Sequence, residues 1–297
     1  MHRGLKIAGG VLVVLALIAG AAILTGLQLG ERKKLRIVDA KPAPVAYVND
    51  PVALERGRYL YSTRGCVDCH GANGAGRDFV NDGTTRISGP NITPGGVVKA
   101  YKEFDWVRII RHGVKPDGTP AQVMPSEDYN RLTDADLAAL VAHVRALPVA
   151  QGGVAIVQMP LPARVLYGLG AIPDAAQRID HRLPPQAPLA ASDVAAAGKY
   201  AANMCIGCHG ESLSGGKIVT GPPDWPAAAN LTPGEGSSMV RYKDADTFLA
   251  MLKSGKRPDG SLIAVMPFES LSRMDETEAR ALYAYLKNVP PRPAGQH

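Results

Sequence analysis

Cys66-Val67-Asp68-Cys69-His70 recurs as Cys205-Ile206-Gly207-Cys208-His209, and the two pentads contain all four cysteines of the 297-residue chain. At Cys-x-x-Cys-His spacing two thiols can bond covalently to the two vinyl groups of a haem while the adjacent imidazole binds iron from one face. No thiol remains for a structural disulfide or a Cys₄ metal site. A single Cys-x-x-Cys would also suit a redox dithiol or half a zinc site; the adjoining histidine and the duplication favour haem c at both pentads.

The duplication extends well beyond the pentads. His70 and His209 are 139 residues apart, and the same offset carries Asn91 to Asn230, Thr93 to Thr232 and Pro94 to Pro233. Further on, the offset becomes 142, carrying Gly113 to Gly255, Pro116-Asp117-Gly118 to Pro258-Asp259-Gly260, Met124-Pro125 to Met266-Pro267, Leu140 to Leu282 and Pro148 to Pro290. Two homologous haem domains are therefore expected, at 50–150 and 190–297.

Each domain reads as a small all-α unit. Asp50-Pro51 opens a helix leading to the first pentad, with Asp as N-cap and Pro at the first helical position; its counterpart begins near Ser192-Asp193. Gly57-Arg58-Tyr59 and Gly198-Lys199-Tyr200 occupy similar places, where glycine lets another helix cross closely. Thr133 caps a helix with apolar Leu137, Leu140, Val141, Val144 and Leu147. Its mate starts at Asp275 with Glu278 in capping-box position and is expected to bury Leu282, Tyr283, Leu286 and Val289. Trp106 and Phe248 align on a shorter middle helix. The Gly/Pro-rich loops between show no convincing strand.

An iron held by one histidine needs a sixth ligand or stays open for chemistry. Met124, 54 residues after His70, and Met266, 57 after His209, each follow a Pro-Asp-Gly turn and precede a proline that biases the backbone to an extended form. A lone Met is more often core filler, but the matched position in both repeats favours ligation. Met159, Met204, Met239, Met251 and Met274 have no repeat partner, and core or surface roles suffice. His112 and His143 align with Ser254 and Tyr285 and read as surface or packing residues.

Ile7 to Gly30 is an uncharged run of 24 residues, about 36 Å as a helix against a hydrocarbon layer of about 30 Å. A retained anchor at 1–30 is favoured over a cleaved signal peptide with its Ala19-Gly20-Ala21 site, because the run exceeds a signal core and continues past that site. The net charge is +6, of which +5 falls in residues 1–36. The basicity belongs to the membrane end, which argues against a nucleic-acid partner, and haem propionates should leave the domains mildly acidic. The cluster Arg32, Lys33, Lys34 and Arg36 after the helix is at least as strong as Arg3 and Lys6 before it, so positive-inside counting alone would put the domains in the cytoplasm. Haem attachment at such pentads takes place outside the bacterial cytoplasmic membrane, and long domains translocate largely regardless of loop charge, so a periplasmic location is expected. Residues 31–49, with Pro42 and Pro44, read as a tether. Residues 151–189, with an apolar stretch from Val154 to Leu169, read as a linker packed against the domains.

On these motifs each half resembles a class I c-type cytochrome. Gly89-Pro90-Asn91-Ile92-Thr93-Pro94, Arg111-His112-Gly113 with Asp117-Gly118, Met124-Pro125 and Leu147-Pro148 resemble the cytochrome subunits of membrane-bound alcohol and gluconate dehydrogenases, which carry three haems where this chain has two pentads. The resemblance implies that a loop carbonyl, at Pro90 and at Ala229 in its place, accepts the proximal His Nδ1–H. It also implies a membrane-anchored dihaem relay in which Cys66, Cys69, His70 and Met124, then Cys205, Cys208, His209 and Met266, hold two haems c, with His70, Met124, His209 and Met266 on iron. Electrons would pass between a dehydrogenase or quinol-oxidising complex and a terminal oxidase or soluble cytochrome, without catalysis of its own. The competing class is a dihaem peroxidase, which needs one displaceable iron position; a Met candidate in both domains argues against it.

Overall fold

The computed structural model describes residues 2–190, 192–222 and 224–296. Met1 of the expected anchor, and Ala191, Pro223 and His297 of the expected second domain, lie outside the described residues.

Helix α1 (His2–Leu35) carries the apolar run onward through the basic cluster, and Lys6–Leu35 is long and apolar enough to cross a membrane. The first repeat follows with α2 (Pro51–Thr63), α3 (Cys66–His70), α4 (Glu103–His112) and α5 (Asp134–Ala146). Asp50 caps α2 by accepting from the Ala53 N–H at 2.9 Å, and Thr133 caps α5 by accepting from the Asp136 N–H at 3.1 Å. Two short helices, α6 (Leu161–Gly168) and α7 (Ala175–Arg178), lie in the linker. The second repeat comprises α8 (Val194–Ala202), α9 (Ile206–His209), α10 (Ala245–Ser254), α11 (Phe268–Leu271) and α12 (Glu276–Asn288).

In each repeat the first and last helices cross at the expected glycine. A Cβ on Gly57 would stand 1.9 Å from the Ala139 carbonyl oxygen, and one on Gly198 would stand 2.1 Å from that of Ala281. No rotamer relieves a clash with backbone, so the helices must separate. Gly198→Ala is expected to destabilise the second domain by at least the roughly 1–3 kcal/mol of an overpacked core. Chemical denaturation followed at the second haem would measure it, and an unchanged midpoint would show that the crossing is not tight.

The cores match the periodicity in large part. Leu137, Leu140, Val141, Val144, Leu282, Leu286 and Val289 are buried, as are Trp106 and Phe248. Leu147 and Tyr283 are only half-buried; α5 ends at Ala146, so Leu147 stands at the C-cap in extended conformation. Met239, Met251 and Met274 are core residues of the second domain.

A small antiparallel sheet departs from the expectation of no strands: β1 (Asp78–Asn81), β2 (Arg86–Ser88) and β3 (Ile156–Gln158), in that order. The Asp82 carboxylate organises the hairpin turn by accepting from the backbone N–H groups of Thr84 at 2.8 Å and Thr85 at 2.7 Å. The first domain supplies the β1–β2 hairpin and the linker adds the third strand. The two haem domains are nonetheless all-α in their packing elements.

Of residues 31–49, expected as a tether, 31–35 continue α1 and 36–49 lie along the linker and the first domain. Arg36 forms a two-pronged ion pair with the buried Asp174 at 2.6 and 2.7 Å. Val38 N–H donates to Gly118 O at 2.9 Å, Ala40 is buried against Val114 and Ala176, and Tyr47 sits beneath the Arg145 guanidinium at 3.6 Å from its ring centroid. The linker is docked too. His112, read as a surface or packing residue, is buried and its Nδ1 lies 3.0 Å from Nδ1 of His181. Arg178 joins Glu127 of the first domain at 2.5 Å to the Gly207 carbonyl of the second at 3.2 Å.

The two halves also touch directly, and the contact is reciprocal. The Tyr200 hydroxyl accepts from the Thr133 N–H at 3.1 Å and donates to Asp136 at 2.8 Å. At the matching place, the Tyr59 hydroxyl accepts from the Asp275 N–H at 3.1 Å and donates to Glu278 at 2.5 Å. Each tyrosine thus completes, from the other domain, the capping of a helix N-terminus. The capping box expected at Asp275 is half-formed for this reason: Asp275 accepts from the Glu278 N–H at 2.7 Å, while the Glu278 carboxylate turns to Tyr59 and Arg64. Burial, with Asp136 beside it, pushes the Tyr200 hydroxyl up to about 12, keeping it a donor. Residue i meeting j while their repeat mates meet the other way round is the signature of a twofold contact, here between halves of one chain.

Candidate haem sites

A glycine turn closes each pentad. Gly71 and Gly210 follow the histidines at φ 71° and 76°, and the histidine carbonyls accept from Gly76 at 2.8 Å and Gly215 at 2.9 Å. The loop that returns over each histidine is fixed by its Asn-x-Thr. Asn91 Oδ1 accepts from the Thr93 N–H and hydroxyl, each at 2.8 Å, and its amide donates to Ala150 O at 2.8 Å. Asn230 does the same with Thr232, and its amide donates to Arg292 O at 2.7 Å. Both loops are thereby tied to the chain that leaves the last helix of the domain.

That anchoring places a carbonyl over each imidazole. His70 Nδ1 lies 3.0 Å from Pro90 O, and His209 Nδ1 lies 2.7 Å from Ala229 O. A carbonyl can only accept, so Nδ1 carries the proton and Nε2 keeps its lone pair. Neither Nε2 has a hydrogen-bond partner among the described residues. Burial lowers both imidazoles below their ordinary value, with the carbonyl bond opposing, so the neutral, ligating form prevails. With alanine in place of proline at 229 the contact is kept, because the backbone oxygen makes the bond.

The methionines stand on matching loops. Pro-Asp-Gly turns precede them, with Gly118 at φ 84° and Gly260 at φ 83°, closed by Thr119 N–H and Ser261 N–H donating to Asp117 and Asp259, each at 2.9 Å. Pro125 and Pro267 then adopt φ −80°, ψ 62° and φ −79°, ψ 64°. Met124 and Cys66 pack against the first core, Met266 and Cys205 against the second. The repeat thus reproduces local backbone geometry as well as residue type.

The donor set fits covalent haem better than a bare metal ion. Among the described residues no group of three or more His, Cys, Asp or Glu side chains is arranged to hold a metal ion. Burial pushes the thiols of Cys66 and Cys205 up to about 12, so they stay protonated where a metal-ion site would need thiolates. Each side offers one lone-paired imidazole, two thiols three residues apart and a thioether. Trp106 Nε1 is buried in the first core with no partner, a donor that an acidic cofactor edge would satisfy; Phe248, its repeat mate, has none to offer. Sequence reasoning did not find Trp106 Nε1 as a donor, nor the roles of Tyr59, Tyr200 and Arg64.

The third residue of each pentad meets the other domain four residues beyond its methionine. Asp68 accepts from the Ser270 hydroxyl at 3.0 Å, and Asp128 accepts from the Gly207 N–H at 2.7 Å. The turn beyond each methionine therefore rests on the other domain's pentad.

Comparison with known proteins agrees with this geometry. The cytochrome c family model matches residues 54–148, and that of cytochrome c oxidase, cbb3-type, subunit III matches residues 192–286. The fructose dehydrogenase cytochrome subunit of Gluconobacter japonicus is 28% identical over 300 residues, covering 91% of this chain and 59% of that protein. The cytochrome c subunit of the quinone alcohol dehydrogenase of Gluconobacter oxydans (strain 621H) is 25% identical over 282 residues, covering 84% and 57%. The gluconate 2-dehydrogenase cytochrome c subunit of Pantoea cypripedii is 34% identical over 110 residues, covering 33% and 24%. The chain spans less than three-fifths of the length of these curated relatives. Both family matches fall on the pentad-bearing halves, whose residues fit the cofactor: the chain is a dihaem c-type cytochrome, built of two cytochrome c domains with covalently bound haem c.

Proposed function

We propose that the chain is a membrane-anchored electron relay serving a dehydrogenase. Cys66, Cys69, Cys205 and Cys208 hold the haems covalently, His70 and His209 bind iron through Nε2, and Met124 and Met266 complete the coordination. Bound haem supplies a one-electron ferric/ferrous couple. The Pro90 and Ala229 carbonyls orient the imidazoles and raise their basicity, and the two thioethers close the remaining positions. Matched methionine loops in both domains carry this reading: a bound haem whose iron His and Met would both hold would exchange electrons without binding substrate, which disfavours the peroxidase alternative.

The similarity to cytochrome subunits of fructose, alcohol and gluconate dehydrogenases supports a dehydrogenase, or a quinol-oxidising complex, as donor. A terminal oxidase or soluble cytochrome would accept. The anchor would span the bacterial inner membrane once, with residues 50–150 and 190–297 as haem domains in the periplasm. Extraction of membranes in mild detergent tests this: the dihaem chain is expected to copurify with a dehydrogenase whose substrate reduces both haems. A chain that elutes alone, with no dehydrogenase activity and no reduction by such substrates, would overturn the assignment.

A further inference from the structure

Helix α6 lies against the end of the anchor at backbone distance. A Cβ on Gly168 would meet the Gly26 oxygen at 1.8 Å and the Gly30 nitrogen at 2.7 Å, and one on Gly26 would meet the Val165 side chain at 2.7 Å. The Lys33 ammonium closes the contact, donating to Tyr167 O at the C-terminal end of α6 at 3.0 Å and to Ile172 O in the turn beyond it at 2.7 Å. Arg36, one turn on, holds Asp174. Two of the four cations that follow the anchor are therefore engaged in fixing the linker to it.

This contact sets the height of α6. The uncharged run Ile7 to Gly30 is about 6 Å longer than a hydrocarbon layer of about 30 Å requires, so Gly26 and Gly30 stand at the boundary of that layer. A helix packed there, at an interaxial distance of about 8–10 Å, lies at the same level. Its exposed side chains agree: Leu161, Leu166 and Leu169 are 47%, 45% and 56% exposed, a costly surface in water for so short a helix. Arg164 has no ion-pair partner among the described residues, and with Lys34, Val157, Gln158 and Met159 it lines a cleft of about 240 Å³ beside the anchor.

We propose that α6 is a membrane-surface helix, seated beside the anchor with Leu161, Leu166 and Leu169 in the apolar edge of the lipid headgroup layer and Arg164 against lipid phosphates. The inference rests on α1 spanning the membrane. It accounts for much of the basic cluster on the domain side of the anchor, which runs against positive-inside counting: Lys33 and Arg36 hold the linker, and Lys34 pairs with Glu31 at 2.8 Å. It also accounts for the apolar stretch of the linker, which has no mate in the repeat. Since α6, Asp174 and Arg178 lie on one docked segment, seating α6 fixes the haem pair relative to the bilayer.

The test is lipid photolabelling of the full haem-loaded chain in nanodiscs of phosphatidylglycerol and phosphatidylcholine, containing a phospholipid with a diazirine near its glycerol. Labelled sites are mapped by mass spectrometry. Label is expected on α1 and, in the same molecules, on Leu161 to Leu169. In a Leu166→Glu/Leu169→Glu variant the α6 label should be lost, while α1 labelling and the haem spectrum stay unchanged. Label on α1 with none on α6 would overturn the surface seat alone, and would point to a protein covering α6 instead. No label on either would remove the anchor on which the inference stands.

Discussion

Met124→Ala and Met266→Ala are each expected to abolish half of the far-red sulfur-to-iron charge-transfer absorption of the oxidised protein. Each should also lower one of two midpoint potentials and let one reduced iron bind carbon monoxide. The reasoning starts from the loops. Pro125 and Pro267 share one backbone geometry, and each methionine packs against the core that also holds a pentad cysteine. A neutral thioether favours the ferrous state, and axial ligands as a class move haem potentials over about 0.8 V, so losing one is among the largest changes a single substitution can make. The fold should persist, since His70 Nδ1 and His209 Nδ1 keep their carbonyl partners and the thioether bonds are untouched. Redox titration with absorption and magnetic circular dichroism would check both variants. A wild-type protein with one high-spin ferric iron that reacts rapidly with peroxide would instead place the chain with dihaem peroxidases.

The haem-binding halves were largely legible in the sequence, and for a physical reason. Attachment chemistry demands fixed spacing, so the pentads are readable as motifs, and duplication supplies a second copy against which each ligand candidate can be judged. Gly57 and Gly198 could be read as crossing points because a backbone contact leaves a residue-type signature. The domain pairing left a fainter one. Tyr59 and Tyr200 stand two residues after those glycines, and Asp136 and Glu278 stand at the third helical position after Thr133 and Asp275. Read within one domain, Asp275 and Glu278 make a capping box. Only the three-dimensional contact reveals that a hydroxyl from the other repeat stands between them. The sheet escaped for a related reason: β3 comes from the linker, and three residues of strand carry too little alternation to be seen.

Glu278→Ala is expected to uncouple the two haem domains. Its carboxylate is the partner of Arg64, whose side chain is 5% exposed, and it also takes the Tyr59 hydroxyl. Removing the acid leaves a guanidinium inside the interface with only the Thr63 hydroxyl at 3.0 Å. A buried charge stripped of its partner costs about 3–5 kcal/mol, comparable with what holds two small domains together. Glu278→Gln keeps an acceptor and should lose less, and Tyr59→Phe with Tyr200→Phe removes both capping hydroxyls while leaving the ion pair, at roughly 1 kcal/mol for each lost hydrogen bond. Since the turn beyond each methionine rests on the other domain's pentad, separation exposes the region between the haems to water. In calorimetry Glu278→Ala should therefore split one transition into two, and limited proteolysis should begin cutting between residues 179 and 193, where the linker is held by the His112–His181 contact and Arg131. Each haem domain should remain intact and keep its spectrum. A single unshifted transition would mean that the linker alone, through Asp174 and Arg178, sets how the two domains face each other.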